Sequence, residues 1–139
     1  MYSNLLVTVA YEGENDAAPS LRIARALASP GAKVTLIHVM EPAPIFTLDY
    51  LPDNWRVDMH DAIKSDLGKM AAQFEHGNAV VVEGDPANEA LDFARLHEVD
   101  CIVVASHRPG TQSVMLGSTA NKIVAAAPCA VHVARRARD

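Results

Sequence analysis

Five consecutive residues, Cys101-Ile-Val-Val-Ala105, constrain this chain more than any other stretch, because an apolar, β-branched run without alternation belongs to a strand buried on both faces. Such a strand needs cover above and below, and helices crossing over a parallel sheet supply it. The composition agrees: half of the residues are hydrophobic but only 5% are aromatic, so the core is built from Val, Ile, Leu and Ala, which let helices pack closely on a sheet. At 139 residues the chain reads as a single domain spanning 1–139. A domain of that size buries roughly two thirds of the surface its unfolded chain exposes and folds without a staple.

Strand and helix patterns alternate along the rest of the sequence. Asn4 to Ala10, around Leu5-Leu6-Val7, reads as the first strand. Asp16 is the expected N-cap of a helix carrying Ala17, Leu21, Ala24 and Ala28 at helical spacing, stopped by Pro30-Gly31. Lys33 to Val39 is the second strand. Met59, Ile63, Leu67, Met70 and Phe74 mark the core face of a helix that ends near Gly77. Ala79 to Glu83 is the third strand, and Asp85 caps a helix with Pro86 in its first position and Ala87, Ala90, Leu91 and Ala94 inward. Ser118 begins a last helix, with Ala120, Ile123, Val124 and Ala127 on one face, and Cys129 to Ala134 is the fifth strand. The alternation predicts a five-stranded, mainly parallel, doubly wound α/β sandwich with helices on both faces. The segment 41–55 is irregular. Its Ile45, Phe46, Leu48, Tyr50, Leu51 and Trp55 are expected to cover core surface or join a subunit contact, or else the segment serves as a lid.

Charge and motifs exclude several functions. A formal net charge of −5 argues against nucleic acid, whose phosphates need a cationic face; Arg135, Arg136 and Arg138 form only a solvated basic tail. Cys101 and Cys129 lie in apolar strand patterns and read as unpaired buried thiols. No apolar run approaches the roughly 20 residues that span a bilayer, and no leader pattern opens the sequence, so membrane insertion is not expected and a cytoplasmic location is. Gly-x-Gly-x-x-Gly, Walker A, Cys-x-x-Cys and Gly-x-Ser-x-Gly motifs are absent. His38, His60, His76, His97 and His132 are dispersed, without the spacing of a metal centre.

The candidate chemistry lies after the fourth strand. A polar loop joins Ala105 to the helix at Ser118, and a helix start presents unpaired N–H groups and the positive end of a dipole, which together bind anions. Gly117, Ser118 and Thr119 stand at that start, and Arg108 would add charge-assisted hydrogen bonds to a phosphate. Ser106 and His107 flank the same loop. On residues alone, a plain cap at Ser118 and a tight turn at Gly117 are the favoured account of the motif.

Taken with these residues, the whole chain resembles the universal stress protein family, and in particular a short subgroup with Ser-His-Arg-Pro after the fourth strand. Nucleotide-binding members carry Gly, two residues, Gly, nine residues, then Gly followed by Ser or Thr. Here Ala105 and Arg108 stand at the first two glycines, eight residues follow, and Gly117-Ser118 match the end. The resemblance implies strand order 3-2-1-4-5 in an adenine nucleotide alpha hydrolase-like fold, with the ligand between the first and fourth strands. It implies ATP, ADP or AMP, with any magnesium held mainly through phosphates. Thr8, Ala10 and Val39 would border the base, and Ala105, Ser106, His107, Arg108, Gly117, Ser118 and Thr119 the phosphates. Ala10 replaces an aspartate that contacts the base in many members, leaving backbone groups or Glu12 to do so. A homodimer through Cys129 to Ala134, an unknown protein partner and a regulatory role in stress responses are further implications. The alternatives are a nucleotide-free interaction protein of the same fold and a slow ATP hydrolase in which His107 or Glu12 positions water.

Overall fold

The computed structural model describes residues 1–10, 17–106 and 116–135. Within these, five strands and four α-helices alternate: β1 (Tyr2–Thr8), α1 (Ala18–Leu27), β2 (Ala28–Met40), α2 (Trp55–Ala71), β3 (His76–Glu83), α3 (Pro86–Leu96), β4 (Cys101–Ala105), α4 (Ser118–Ala126) and β5 (Ala130–Ala134), with a 3-10 helix at Ile45–Tyr50. All pairings are parallel and the order is β3-β2-β1-β4-β5. The expected architecture and order are both found.

Each strand feeds two cores, as the unalternating runs require. Leu5, Val7, Val34, Leu36, Cys101 and Val103 pack with Leu21 and Ala24 of α1 and Leu67 and Ala71 of α2. On the opposite face Leu6, Ile37, Ile102 and Val104 meet Ala87, Ala90, Leu91 and Ala94 of α3 and Ala120 and Ile123 of α4. At about 25 cal/mol per Å² of apolar surface removed from water, these two layers dominate the stability of the fold. They also settle the cysteines. Cys101 belongs to the first core and Cys129 packs on the second, so both thiols are free and lie on opposite faces of the sheet.

Several boundaries depart from the sequence reading. Ala28, expected on the first helix, opens β2 and pairs with Tyr2; the ladder then shifts register before Asn4↔Lys33, and Gly31 absorbs the irregularity at φ 77°. β3 begins at His76 rather than Ala79 because it follows β2 from Lys33 onward. α2 ends at Ala71, and Gly77 passes so close that a Cβ there would lie 2.0 Å from the Ala71 carbonyl oxygen. Only the carboxyl half of α2 reaches the core, leaving Met59 49% exposed, and Val124 on α4 is 48% exposed beside the buried Ile123. Asp85 caps α3 as expected, its Oδ2 accepting from Asn88 N–H at 3.0 Å. Asp16, the expected cap of α1, lies outside the described residues.

The amino end of the sheet is fastened by polar groups. Asp100 accepts from Ser3 N–H, Ser3 Oγ and Asn4 N–H at 2.9, 3.1 and 3.1 Å, while Asn4 Nδ2 donates to His97 O at 2.9 Å. This ties β1 to the turn before β4 and leaves the carboxyl end as the edge where the two strands separate.

Candidate functional site

The sheet opens at its carboxyl edge between β1 and β4. β1 stays with β2 through Thr8↔Ile37, and Val9 N–H then donates to Ile37 O at 2.9 Å. β4 stays with β5 through Ala105↔Ala134, and Ser106 N–H donates to Ala134 O at 2.9 Å. Between β1 and β4 the pairing stops earlier, at Val7↔Val103. Each central strand is therefore held by its outer neighbour while the pair diverges, which makes a crevice at the point where strand order reverses.

The start of α4 belongs to this edge. Gly117 is the N-cap, at φ −66° and ψ 167°, and its carbonyl accepts the first helical bond from Asn121 N–H at 3.0 Å. Gly117 N–H is itself spent on Ser106 O at 2.7 Å, and Asn121 Nδ2 holds Leu116 O at 3.0 Å. The groups without a partner inside the helix are therefore those of Ser118, Thr119 and Ala120. A glycine N-cap has no side chain to occupy them, unlike Asp85 on α3. Among the described residues nothing takes these donors, so the helix start can offer them, with the positive end of its dipole, to an external acceptor.

Strand alternation sorts the other candidates. Thr8 follows Leu6, Val39 follows Ile37, and Ser106 follows Ile102 and Val104, so all three lie on the α3 and α4 side, as does the start of α4. Thr8 and Val39 are half-buried and Ser106 is 3% exposed. Ala105 falls on the other face and is exposed, which leaves only its backbone to the crevice. Ala10 is exposed beyond the end of β1. His107, Arg108 and Glu12 lie outside the described residues.

Two residues at this edge escaped the sequence reading. One is Asn121, whose place one turn into a helix gave no signal beyond its type. The other is His38, whose Nδ1 lies 2.7 Å from Val9 O. A carbonyl oxygen only accepts, so Nδ1 carries the proton and donates. With Val9 N–H on Ile37 O, this bond clamps the exit of β1 against β2 from both sides of residue 9.

The donors at the start of α4 suit an anion. Among the described residues no group of three or more His, Cys, Asp or Glu side chains is placed to hold a metal ion. Among them, too, no helix is long and apolar enough to cross a membrane.

Fold and crevice define a class: an open, doubly wound α/β protein with an anion-receptive helix start at its topological switch point. The chain belongs to the universal stress protein family, whose sequence model matches residues 1–135. A universal stress protein of Thermus aquaticus is 28% identical over 138 residues, covering 93% of this chain and 97% of that protein. A family member from Arabidopsis thaliana with AMP bound shares the fold at a TM-score of 0.66 and 18% identity, covering 99% of this chain and 94% of that one. The universal stress protein of Archaeoglobus fulgidus in complex with dAMP does so at 0.63 and 17%, covering 95% and 97%.

Proposed function

We propose that this chain binds an adenine nucleotide in the crevice between β1 and β4 and acts as a nucleotide-responsive regulator in stress responses. The observation that carries the reading is the uncapped start of α4 beside the divergence of the two strands. The AMP and dAMP held by neighbours of the same fold support the choice of ligand. Ser118, Thr119 and Ala120 N–H groups would hold phosphate, with Arg108 adding charge, while Thr8, Val39 and the backbone near Ala10 border the base. Magnesium, where a triphosphate brings it, is held by phosphate oxygens and water. The regulatory output needs a conformation that binds nucleotide better than its alternative, because a ligand shifts an equilibrium only by that difference.

The proposal includes a cytoplasmic homodimer through β5. That strand is the last in the sheet order, with Ala130 and His132 exposed, and an uncovered edge favours pairing with a second copy. Two observations favour a nucleotide-free protein of the same fold: Ala10 offers no side-chain acceptor at the base end, and Gly117 N–H is already engaged.

Calorimetric titration of nucleotide-stripped protein with ATP, AMP and GTP, beside Gly117→Asp, separates the two readings. At its φ and ψ Gly117 accepts an aspartate, whose carboxylate would cap α4 and stand where a phosphate binds. The proposal expects saturable ATP and AMP binding, weaker GTP binding, and a loss of about 100-fold in the variant without loss of melting temperature. Absence of binding to the folded wild-type dimer favours the nucleotide-free reading.

A further inference from the structure

Nine large hydrophobic side chains are exposed among the described residues, and six fall between Ile45 and Met59: Ile45 at 86%, Phe46 at 80%, Leu48 at 42%, Tyr50 at 87%, Val57 at 59% and Met59 at 49%. They do not cover the core, as one sequence expectation had it; the 3-10 helix buries none of its residues. Nor is the segment shapeless. Thr47 N–H and Oγ1 both donate to Pro44 O, at 2.9 and 2.7 Å, and Leu51 N–H donates to Leu48 O at 3.3 Å, so the backbone presenting Phe46 and Tyr50 is held by local bonds. A concentration of exposed apolar side chains on a held backbone marks an interaction surface.

Charge selects the occupant. Asp49, Asp53 and Asp58 are interleaved with the apolar residues and exposed. The sole base in the strip, Arg56, is engaged by Glu83 at 2.8 Å and lies 5.2 Å over the Trp55 ring. A two-fold contact with a second copy would set this acidic strip against itself. Closure over a bound nucleotide would bring the same carboxylates toward phosphate, and an anionic membrane surface is disfavoured for the same reason. We propose that the strip from Ile45 to Met59 is a docking surface for a cationic amphipathic segment of a partner protein, its apolar face against Phe46 and Tyr50 and its basic flanks against Asp49, Asp53 and Asp58. This stands apart from the nucleotide reading and survives its failure.

Trp55, the chain's one tryptophan, lies within the strip and reports on it. The test titrates the full chain with a tryptophan-free helical peptide of about 18 residues, leucines on one face and lysines on the other, following Trp55 emission. Controls are the same composition in scrambled order and the same pattern with glutamate for lysine. The proposal expects saturable, salt-sensitive binding by the patterned lysine peptide, at least about ten-fold tighter than either control. Phe46→Ser with Tyr50→Ser should weaken it about ten-fold at unchanged melting temperature, and Asp49→Asn, Asp53→Asn and Asp58→Asn together should remove most of its salt dependence. Equal binding of the glutamate or scrambled peptide, or binding indifferent to Phe46 and Tyr50, overturns the proposal. So does self-association in sedimentation that disappears with the Phe46 and Tyr50 changes, which would make the occupant a second copy.

Discussion

The two ends of the crevice are made of different things. At the start of α4 the groups on offer are backbone N–H groups, on a helix entry held by Gly117 N–H on Ser106 O and by Asn121 Nδ2 on Leu116 O. At the exit of β1 there is instead an exposed alanine on a chain clamped by His38 and Ile37. Under the proposed function the first end would read charge, which backbone donors do without a special side chain. The second would read a base, where direction and shape count and side-chain acceptors help. An account in which both ends serve one nucleotide therefore predicts large, base-independent losses from the helix start and smaller, base-dependent ones from the strand exit.

After Gly117→Asp, the largest effect at the helix start is expected from Asn121→Ala, which frees Leu116 O and loosens the entry to α4. Affinity for ATP and AMP should fall about ten-fold together, with a stability loss of about 1 kcal/mol by thermal melting. A fall confined to one nucleotide would break the division of labour.

At the strand exit, His38→Leu removes the donor to Val9 O, whereas His38→Asn can keep one near the position of Nδ1. We expect about a five-fold loss of AMP affinity in the leucine variant, recovery in the asparagine variant, and no change in pyrophosphate binding by either. Parallel loss of pyrophosphate binding would mean that His38 holds the whole edge rather than the base end. A smaller gain should follow from Ala10→Asp, which places an acceptor at the proposed base end: preference for ATP over GTP should rise about three-fold in competition titrations.

The amino-side residue Cys101 supplies a change that leaves both ends alone. Burial, aided by nearby Cys129 and Asp100, pushes its thiol up from the ordinary 9.0 to about 11. The folded chain then keeps a proton the unfolded chain loses, so this contribution is intact below pH 9 and lost as pH rises through about 11. Cys101→Val should remove up to about 2 kcal/mol of that slope in denaturant titrations at pH 8 and 10.5, with nucleotide affinity unchanged.

The parts legible in the sequence are those where one physical demand acts alone. Cys101 to Ala105 and the Ala-rich face of α3 had only burial to satisfy, and the sheet, its helices and their alternation followed. Ala28, Met59 and Val124 were misread because periodicity describes a face without saying how far the core extends beneath it. At the site, Gly117-Ser118 announced a helix start, but only folding shows that the Gly117 N–H is spent and that the usable donors begin at Ser118. His38 was invisible for a similar reason: its partner is a backbone carbonyl 29 residues away, which leaves no mark on composition or spacing.

The most direct measurement is an amide-resolved NMR titration of the nucleotide-stripped protein with AMP. The account predicts saturating shifts at Ser118, Thr119 and Ala120 N–H, with smaller ones at Val9, Ala10 and Val39, and none at the starts of α1 and α2. Saturable shifts elsewhere that leave the start of α4 unmoved, or no shifts at all, would contradict it.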